Sequence, residues 1–182
     1  MHVELRQVTA DDAEVLLKLY RTNRTFLAPW EPKRDDSFFT EHHQRRQLAQ
    51  AGVDRRSGRA LPCVILADDR VVGRININDI VRGAFDSAHL GYWVAEEMNG
   101  RGVATAAVAA AARLCFEDLG LRRVTANCFA DNTAPWRLIE RVGMRRETYA
   151  VTESLHRSGE WLDTMGYGLL AEERISAAAS RS

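Results

Sequence analysis

The chain has 182 residues, of which 46% are hydrophobic and 27% charged, and its 25 basic and 25 acidic residues give a formal net charge of zero. This length and composition are typical of one globular domain with a sizeable core. A zero net charge argues against a broad nucleic-acid-binding surface and against binding to anionic membranes. No apolar run reaches about 18 residues and no signal-peptide pattern opens the chain, so we expect a cytoplasmic protein.

The cysteine and histidine patterns indicate neither disulfides nor a metal centre. Cys63, Cys115 and Cys128 are odd in number and widely spaced, which fits neither a disulfide framework nor a zinc site. His42 and His43 are adjacent rather than one helical turn apart, so they do not form a metal-binding pair.

The first third of the chain is predicted to be a short strand followed by two helices. Residues 3–6 alternate like a strand, and residues 9–12 are typical of a capping box that opens an amphipathic helix. An aromatic, proline-marked segment covers residues 23–34. A second, polar helix covers roughly residues 37–51, and residues 52–62 are predicted to be a solvated loop.

Three antiparallel strands are predicted next. Residues 63–67 and 71–80 flank a turn at 68–69, and Ile75 and Ile77 alternate with polar residues along the second strand. A third strand is predicted after a turn near residues 82–84, because the apolar residues Leu90, Tyr92 and Val94 recur with period two.

The second half alternates helices and strands. An alanine-rich helix runs from about 103 to 118, with Gly120 as its C-cap, and a strand covers residues 123–129. Residues 131–135 then open a helix that ends at Gly143.

Two final strands, near 145–156 and 161–170, are joined by a hairpin at 157–159, and the tail 177–182 is expected to fray. The element order predicts a single α/β (α+β) domain over residues 1–182, with an ordered core of about 3–170. Its sheet is mixed and mostly antiparallel, and helices flank it. The runs of antiparallel strands argue against a doubly wound dinucleotide-binding fold.

A glycine-rich turn lies where the third central strand meets the alanine-rich helix. A helix start offers unpaired N–H groups and a partial positive charge, so this turn is suited to binding a phosphate. A P-loop needs a Gly-Lys-Ser/Thr ending, which the chain lacks, and a Rossmann fingerprint needs a third small residue where Thr105 stands. An ordinary strand-to-helix loop is the simpler alternative.

The hexapeptide from Asn99 to Ala104 resembles the Gln/Arg-x-x-Gly-x-Gly/Ala loop of the GNAT N-acetyltransferases, which binds the pyrophosphate of acyl-CoA. Residues 132–144 resemble that family's Asn-x-x-Ser-x-x-x-x-x-x-x-Gly-Phe segment, with Pro135 in place of the serine. With two motifs about 30 residues apart, each at a strand-to-helix junction, the chain is similar to this family over about residues 3–170.

Within the family the chain most resembles the RimJ/RimL branch, which acetylates α-amino groups of ribosomal proteins. The segments that carry this similarity are Asn23-x-x-x-Leu27-x-x-Trp30, residues 79–85 with Leu90-Gly91-Tyr92, Glu147-x-Tyr149-Ala150, and Gly159-x-Trp161-x-Asp163. The resemblance implies an acetyl-CoA-dependent N-acetyltransferase acting on a protein N-terminus, as a monomer or homodimer. Acetylation of a small amine (an antibiotic, polyamine or amino acid) and a catalytically silent CoA-binding module remain open alternatives.

The resemblance also implies contacts for the cofactor and the acceptor. The residues expected at acetyl-CoA are Trp93, Val94, Asn99, Gly100, Arg101, Gly102, Val103, Ala104, Thr105, Asn132 and Trp136. Asn132 can instead cap a helix, and Arg101 can be a solvated charge. Asn23, Trp30 and Phe85 are the candidates for the acceptor groove, although Trp30 also suits a core.

The catalytic groups are less evident, because the family's usual positions are occupied by other residues. Ile139 stands where many members have a tyrosine acid, and Asn127 where others have a glutamate. The resemblance leaves two candidates: Glu153 lies near the place of a glutamate of the RimL branch, and Cys128 matches a cysteine of that branch's Cys-x-x-Asp-Asn segment. We expect Glu153 to be the base, in an apolar pocket that would raise its pKa, and Cys128 to donate a proton to the leaving thiolate. A surface carboxylate and a small buried hydrophobe are the respective alternatives. We expect direct attack by the amine rather than an acyl-cysteine intermediate.

Overall fold

A seven-stranded sheet in the order β1-β2-β3-β4-β5-β7-β6 forms the centre of the computed structural model, which describes residues 1–156 and 158–173, the side chains of Thr133 and Ala134 excepted. The strands are β1 (Val3–Gln7), β2 (Leu61–Ala67), β3 (Arg70–Val81), β4 (Ser87–Val94), β5 (Arg123–Phe129), β6 (Arg145–Leu155) and β7 (Trp161–Leu170). Only β4 and β5 pair in parallel, and all other neighbours are antiparallel. The predicted α/β fold with a mixed, mostly antiparallel sheet is therefore confirmed.

Helices pack on both faces of the sheet. They are α1 (Ala13–Thr22), α2 (Arg24–Leu27), α3 (Glu41–Arg56), α4 (Val103–Arg113) and α5 (Thr133–Arg141). Short 3-10 turns cover Ala10–Asp12, Asp36–Phe39 and Glu96–Met98, and a wider π-type turn over Leu114–Asp118 extends α4. None of the helices in the described ranges is long and apolar enough to span a membrane.

The two faces of the sheet carry separate apolar cores. On one face, Val103 and Ala107 of α4 and Ile139 of α5 pack on buried residues of β3 and β4 such as Ile75 and Leu90. On the other face, residues of α1 and α3 pack on Val64 and Leu66 of β2. This second core does not extend across the whole sheet, so polar side chains of β3, β4 and β5 on that face remain accessible.

The parallel pair β4–β5 is joined along only part of its length. Ser87–Leu90 pair with Arg123–Ala126, whereas β4 continues to Val94 and β5 to Phe129. The two strands therefore separate beyond Leu90 and Ala126. Such a gap leaves the facing edge of β4 without a partner among the described strands, which the sequence pattern did not reveal.

The third helix differs from its prediction. We expected a helix over 37–51 followed by a loop over 52–62, but α3 begins after Thr40 and continues through Gly52 to Arg56. Leu48 and Ala51 are buried one turn apart, and their packing outweighs the helix penalty of about 1 kcal/mol for a glycine. Leu61 and Pro62, which we predicted as the end of this loop, are instead the first two residues of β2.

Two predictions concern residues that are not fully described. Arg157, the first residue of the predicted 157–159 hairpin, lies outside the described residues, and so does the predicted frayed tail 177–182. The strands that flank the hairpin end at Leu155 and begin at Trp161, close to the predicted positions.

Gly73 on β3 should be essential for the position of the end of β4. A Cβ at residue 73 would lie 2.3 Å from the Trp93 carbonyl oxygen and 2.9 Å from the Val94 Cα. Because both atoms belong to the backbone, we expect Gly73→Ala to lower the free energy of unfolding by about 1–3 kcal/mol in urea titrations.

Gly91→Ala is the matched control for this measurement. Gly91 is also a strand glycine, but an added Cβ would meet only the Asn78 Nδ2 atom, at an ordinary 3.5 Å. Equal stabilities of the two variants would show that the close approach of β3 and β4 is not a constraint.

Candidate active site

The turn between β4 and α4 has the geometry of an anion site. Gly100 and Gly102 adopt positive φ angles of 71° and 79°, the left-handed region that favours glycine. Gly102 is the N-cap of α4, and no side chain caps this helix start. The first N–H groups of the helix lack helical acceptors and point towards the turn, together with the positive end of the helix dipole.

A cavity of about 640 Å³ opens beside this turn, and we call it the loop cavity. Of the residues predicted from the sequence to contact a cofactor, those that line it are Trp93, Val94, Asn99, Gly100, Gly102, Val103, Ala104, Thr105 and Asn132. The structure therefore brings these residues together around one space of a size typical for ligand pockets.

Arg101 and Trp136 are the two predicted cofactor contacts that do not line the loop cavity. Arg101 is exposed, which matches its alternative interpretation as a solvated charge. Trp136 packs against the apolar core between the sheet and the helices α4 and α5. The Arg137 guanidinium lies over its ring, 5.6 Å from the centroid.

Arg137 and Arg141 line the loop cavity, and sequence reasoning missed both. They lie one turn apart on α5, so their spacing of four residues was a signal that could have identified them. Phe26 and Leu27 of α2 complete the opposite wall. Their contribution depends on how α2 packs, which no local pattern shows.

Asn132 is the N-cap residue of α5, but its side chain does not cap the helix. It lines both the loop cavity and a smaller cavity of about 290 Å³, which we call the junction cavity. Helix capping is thus not the role of this amide, and the group is available to a ligand.

On the other face of the sheet lies a cavity of about 390 Å³, which we call the polar groove. The polar residues in its lining include Glu31, Arg34, Arg74, Asn76, His89 and Asn127. Trp30 and Tyr92 line the loop cavity, the junction cavity and the polar groove. All three cavities therefore meet where β4 and β5 separate.

Burial shifts two titratable groups of the polar groove, Glu31 and His89, towards their neutral forms. Desolvation raises the pKa of Glu31, although Arg34, 3.8 Å away, and Arg74 act in the opposite direction. Desolvation also lowers the pKa of His89, against the charges of Asp79 and Glu153. Such perturbed groups in a cleft are typical of functional sites.

Cys128 and Tyr92 lie together at the junction cavity. Burial raises the pKa of the Cys128 thiol to about 11, so the thiol is protonated at neutral pH. The Tyr92 hydroxyl oxygen is buried, and no group in residues 1–156 and 158–173 hydrogen-bonds to it. Burial, reinforced by Cys128, raises the pKa of this phenol as well.

Glu153 does not lie in the apolar pocket that we expected. It is exposed on β6, and its carboxylate accepts a hydrogen bond from the Thr164 hydroxyl. It lines none of the three cavities described above, so its influence on them is through its charge.

The three predicted acceptor contacts are separated in the structure. Asn23 is only 4% exposed, and its amide donates to the Leu19 carbonyl at 2.9 Å and accepts from the Glu96 N–H at 2.8 Å. Phe85 is 72% exposed on the β3–β4 hairpin, outside the three cavities. Only Trp30 lies at the site, and with 45% exposure it is not a core residue.

We expect Cys128 to react slowly with iodoacetamide at pH 7.5. The thiolate is the nucleophile, and a pKa near 11 rather than about 8.5 lowers its fraction by roughly two orders of magnitude. Peptide mapping by mass spectrometry measures the rate at Cys128 and separates it from the other two cysteines. A rate like that of a free cysteine would contradict a buried, protonated thiol, whereas acceleration as the pH rises to 9.5 would support it.

Comparisons with known proteins identify relatives of this chain. The chain is 31% identical over 161 residues to the [ribosomal protein uS5]-alanine N-acetyltransferase of Escherichia coli strain K12, covering 87% of this chain and 82% of the relative. It is 28% identical over 163 residues to the probable N-acetyltransferase YjcK of Bacillus subtilis strain 168, covering 88% and 90%.

Among solved structures, the chain is similar to RimJ of Mycobacterium smegmatis, determined in complex with CoA-disulfide. The TM-score is 0.88, the identity 30%, and the match covers 97% of this chain and 89% of the other. Residues 2–145 match the family described as Acetyltransferase (GNAT) domain. This protein therefore belongs to the GNAT acetyltransferase family.

Proposed function

We propose that this protein acetylates the N-terminal α-amine of another protein, with acetyl-CoA as the acetyl donor. The observation that carries the proposal is the meeting of the loop cavity and the polar groove at the gap between β4 and β5. A phosphate-binding helix start opens on one side of this gap and a polar groove on the other. A donor and an acceptor can thus reach the same point from opposite faces of the sheet.

The loop cavity fits coenzyme A. The N–H groups at the start of α4 are suited to the pyrophosphate, and Arg137 and Arg141 supply positive charge for the phosphates. Beyond Leu90 the edge of β4 facing β5 is free to pair with pantetheine amides, beside the uncommitted amide of Asn132.

The chemistry requires a neutral amine. Its nitrogen attacks the carbonyl carbon of the acetyl thioester, the N–C bond forms, and the C–S bond breaks. An α-amine has a reference pKa near 7.7–8.0 and is about 10–20% neutral at pH 7, whereas a lysine near 10.4 is below about 0.1%. At pH 7, deprotonating an α-amine therefore costs roughly 3 kcal/mol less free energy than deprotonating a lysine.

Cys128 remains our candidate for the proton donor to the leaving sulfur. Its thiol is protonated, half-buried and at the junction cavity. Glu153 remains a candidate for the base only if it acts without touching the amine. Its carboxylate is exposed and accepts a hydrogen bond from Thr164.

A protein N-terminus is favoured by the relative in Escherichia coli, which is named as an enzyme acting on an alanine of ribosomal protein uS5. A ribosomal protein is accordingly the first acceptor to consider. The cytoplasmic location and the monomeric or homodimeric state expected from the sequence stay predictions.

The acceptor is identified by incubating the purified protein with acetyl-CoA and a panel of N-terminal peptides, free small amines and aminoglycosides, and measuring release of free CoA. We expect turnover on peptides that begin with alanine or serine. Turnover only on small amines would replace the proposed acceptor class. Binding of acetyl-CoA without turnover on any amine would support a silent CoA-binding module.

The turn at Gly102 should matter to CoA beyond its effect on stability. Gly102→Ala places a Cβ at φ 79°, at a strain of about 1–2 kcal/mol, where the helix N–H groups must face the phosphates. We expect the Kd for CoA, measured by isothermal titration calorimetry, to rise about tenfold.

Gly83→Ala is the matched control, because Gly83 has nearly the same φ of 80° and also has open space around its Cβ position. It lies in the β3–β4 hairpin, so it should lose similar stability and keep the wild-type Kd. An equal loss of CoA affinity in both variants would mean that the effect is only one of stability.

A further inference from the structure

We propose that His89 is the general base that takes the proton from the acceptor amine. This inference rests on the proposed function and adds a catalytic residue to it. Its basis is the position of His89 in the polar groove and the hydrogen bonds that orient its imidazole ring.

Thr125 determines which nitrogen of His89 is available. Its hydroxyl donates its single proton to the Ala88 carbonyl at 3.2 Å, while its oxygen lies 3.2 Å from His89 Nδ1. Both hydrogen bonds can form only if Nδ1–H donates to Thr125, so the network assigns this tautomer. Nε2 then carries the lone pair, and no described residue hydrogen-bonds to it.

Burial favours the neutral form of the His89 imidazole. Its burial lowers its pKa, although the carboxylates of Asp79 on β3 and Glu153 on β6 partly offset this effect. Arg74 of β3 also lines the groove, as do Glu31 and Arg34 from the segment after α2. At neutral pH a histidine with a lowered pKa is largely in the form that can accept a proton.

An open path connects His89 with the gap. His89 and Gly91 lie two residues apart on the same face of β4, and both line the polar groove. Gly91 also lines the junction cavity, and it has no side chain to block the path between the two cavities. Water in this path can relay a proton from the amine to the base.

The proton balance is simple. Nε2 takes one proton from the ammonium group through the water, which frees the nitrogen lone pair for attack. As the C–S bond breaks, the Cys128 thiol gives its proton to the leaving sulfur, and the second proton lost by the nitrogen restores the Cys128 thiol. His89 then returns its proton to solvent through the open groove, so no further reactant is needed.

The test compares His89→Gln with the control His2→Gln, which changes an exposed histidine near the N-terminus. We expect His89→Gln to lower kcat at pH 7 by about 10²-fold on the best peptide of the panel and to leave the Kd for CoA unchanged. The control should match the wild type in both.

The pH profile distinguishes a base from a structural residue. As the pH rises to 9, the α-amine becomes neutral without help, so the rate of His89→Gln should approach that of the wild type. A rate deficit that is the same at every pH from 6 to 9 would overturn the proposal. A wild-type rate in the variant would also overturn the proposal for His89, but it would leave the proposed function intact. Absence of turnover by the wild type on every amine would instead refute the proposed function, and this inference with it.

A measurement on the wild-type protein removes the dependence on a variant. In ¹⁵N-edited NMR spectra of the imidazole at pH 7.5, we expect His89 to carry its proton on Nδ1, with a titration midpoint below 6.5. A proton on Nε2, or a charged ring at pH 7.5, would overturn the proposal.

Discussion

The gap between β4 and β5 is the constraint on which the rest of the site depends. A continuous sheet would separate its two faces completely, since every backbone edge between neighbouring strands is closed by hydrogen bonds. Here the pairing ends at Leu90 and Ala126, and the loop cavity, the junction cavity and the polar groove meet at that point. Two reactants can therefore approach from opposite faces while the sheet remains the rigid scaffold for both.

Contacts from β3 and α1 and from the residue that follows α1 hold the free end of β4 in place. Gly73 permits β3 to approach the backbone of Trp93 and Val94, and Asn23 binds the N–H of Glu96 just beyond the strand. The Trp93 indole also donates to the Tyr20 hydroxyl at 3.1 Å. A strand end without a partner on one side needs such support, because unsatisfied backbone groups and loose ends are costly. The Asn23 of the sequence motif is thus a positioning residue.

Desolvation explains the electrostatics on the groove side. It disfavours charged forms, so the pKa of Glu31 moves up and that of His89 moves down, and both shifts bring the groups closer to neutrality. Arg137 and Arg141 of α5 are instead exposed beside the loop cavity. The two sides of the gap are accordingly suited to different tasks, phosphate binding on one and proton transfer on the other.

Local sequence patterns by themselves determined the strands, all helices but α2, and the turn that starts α4, because periodic burial and the left-handed preference of glycine act over a few residues. Two motifs at strand-to-helix junctions, with the end of β4, also sufficed to indicate the family and nine of the eighteen residues that line the loop cavity. The sequence patterns did not predict that α3 continues through Gly52. The burial of Leu48 and Ala51 outweighed the low helix preference of this glycine. Only the tertiary structure decided that Glu153 is exposed, that Asn23 faces inward, and that His89 meets Thr125 across two strands. Burial and side-chain pairing between distant segments arise from packing, and no pattern along one segment contains them.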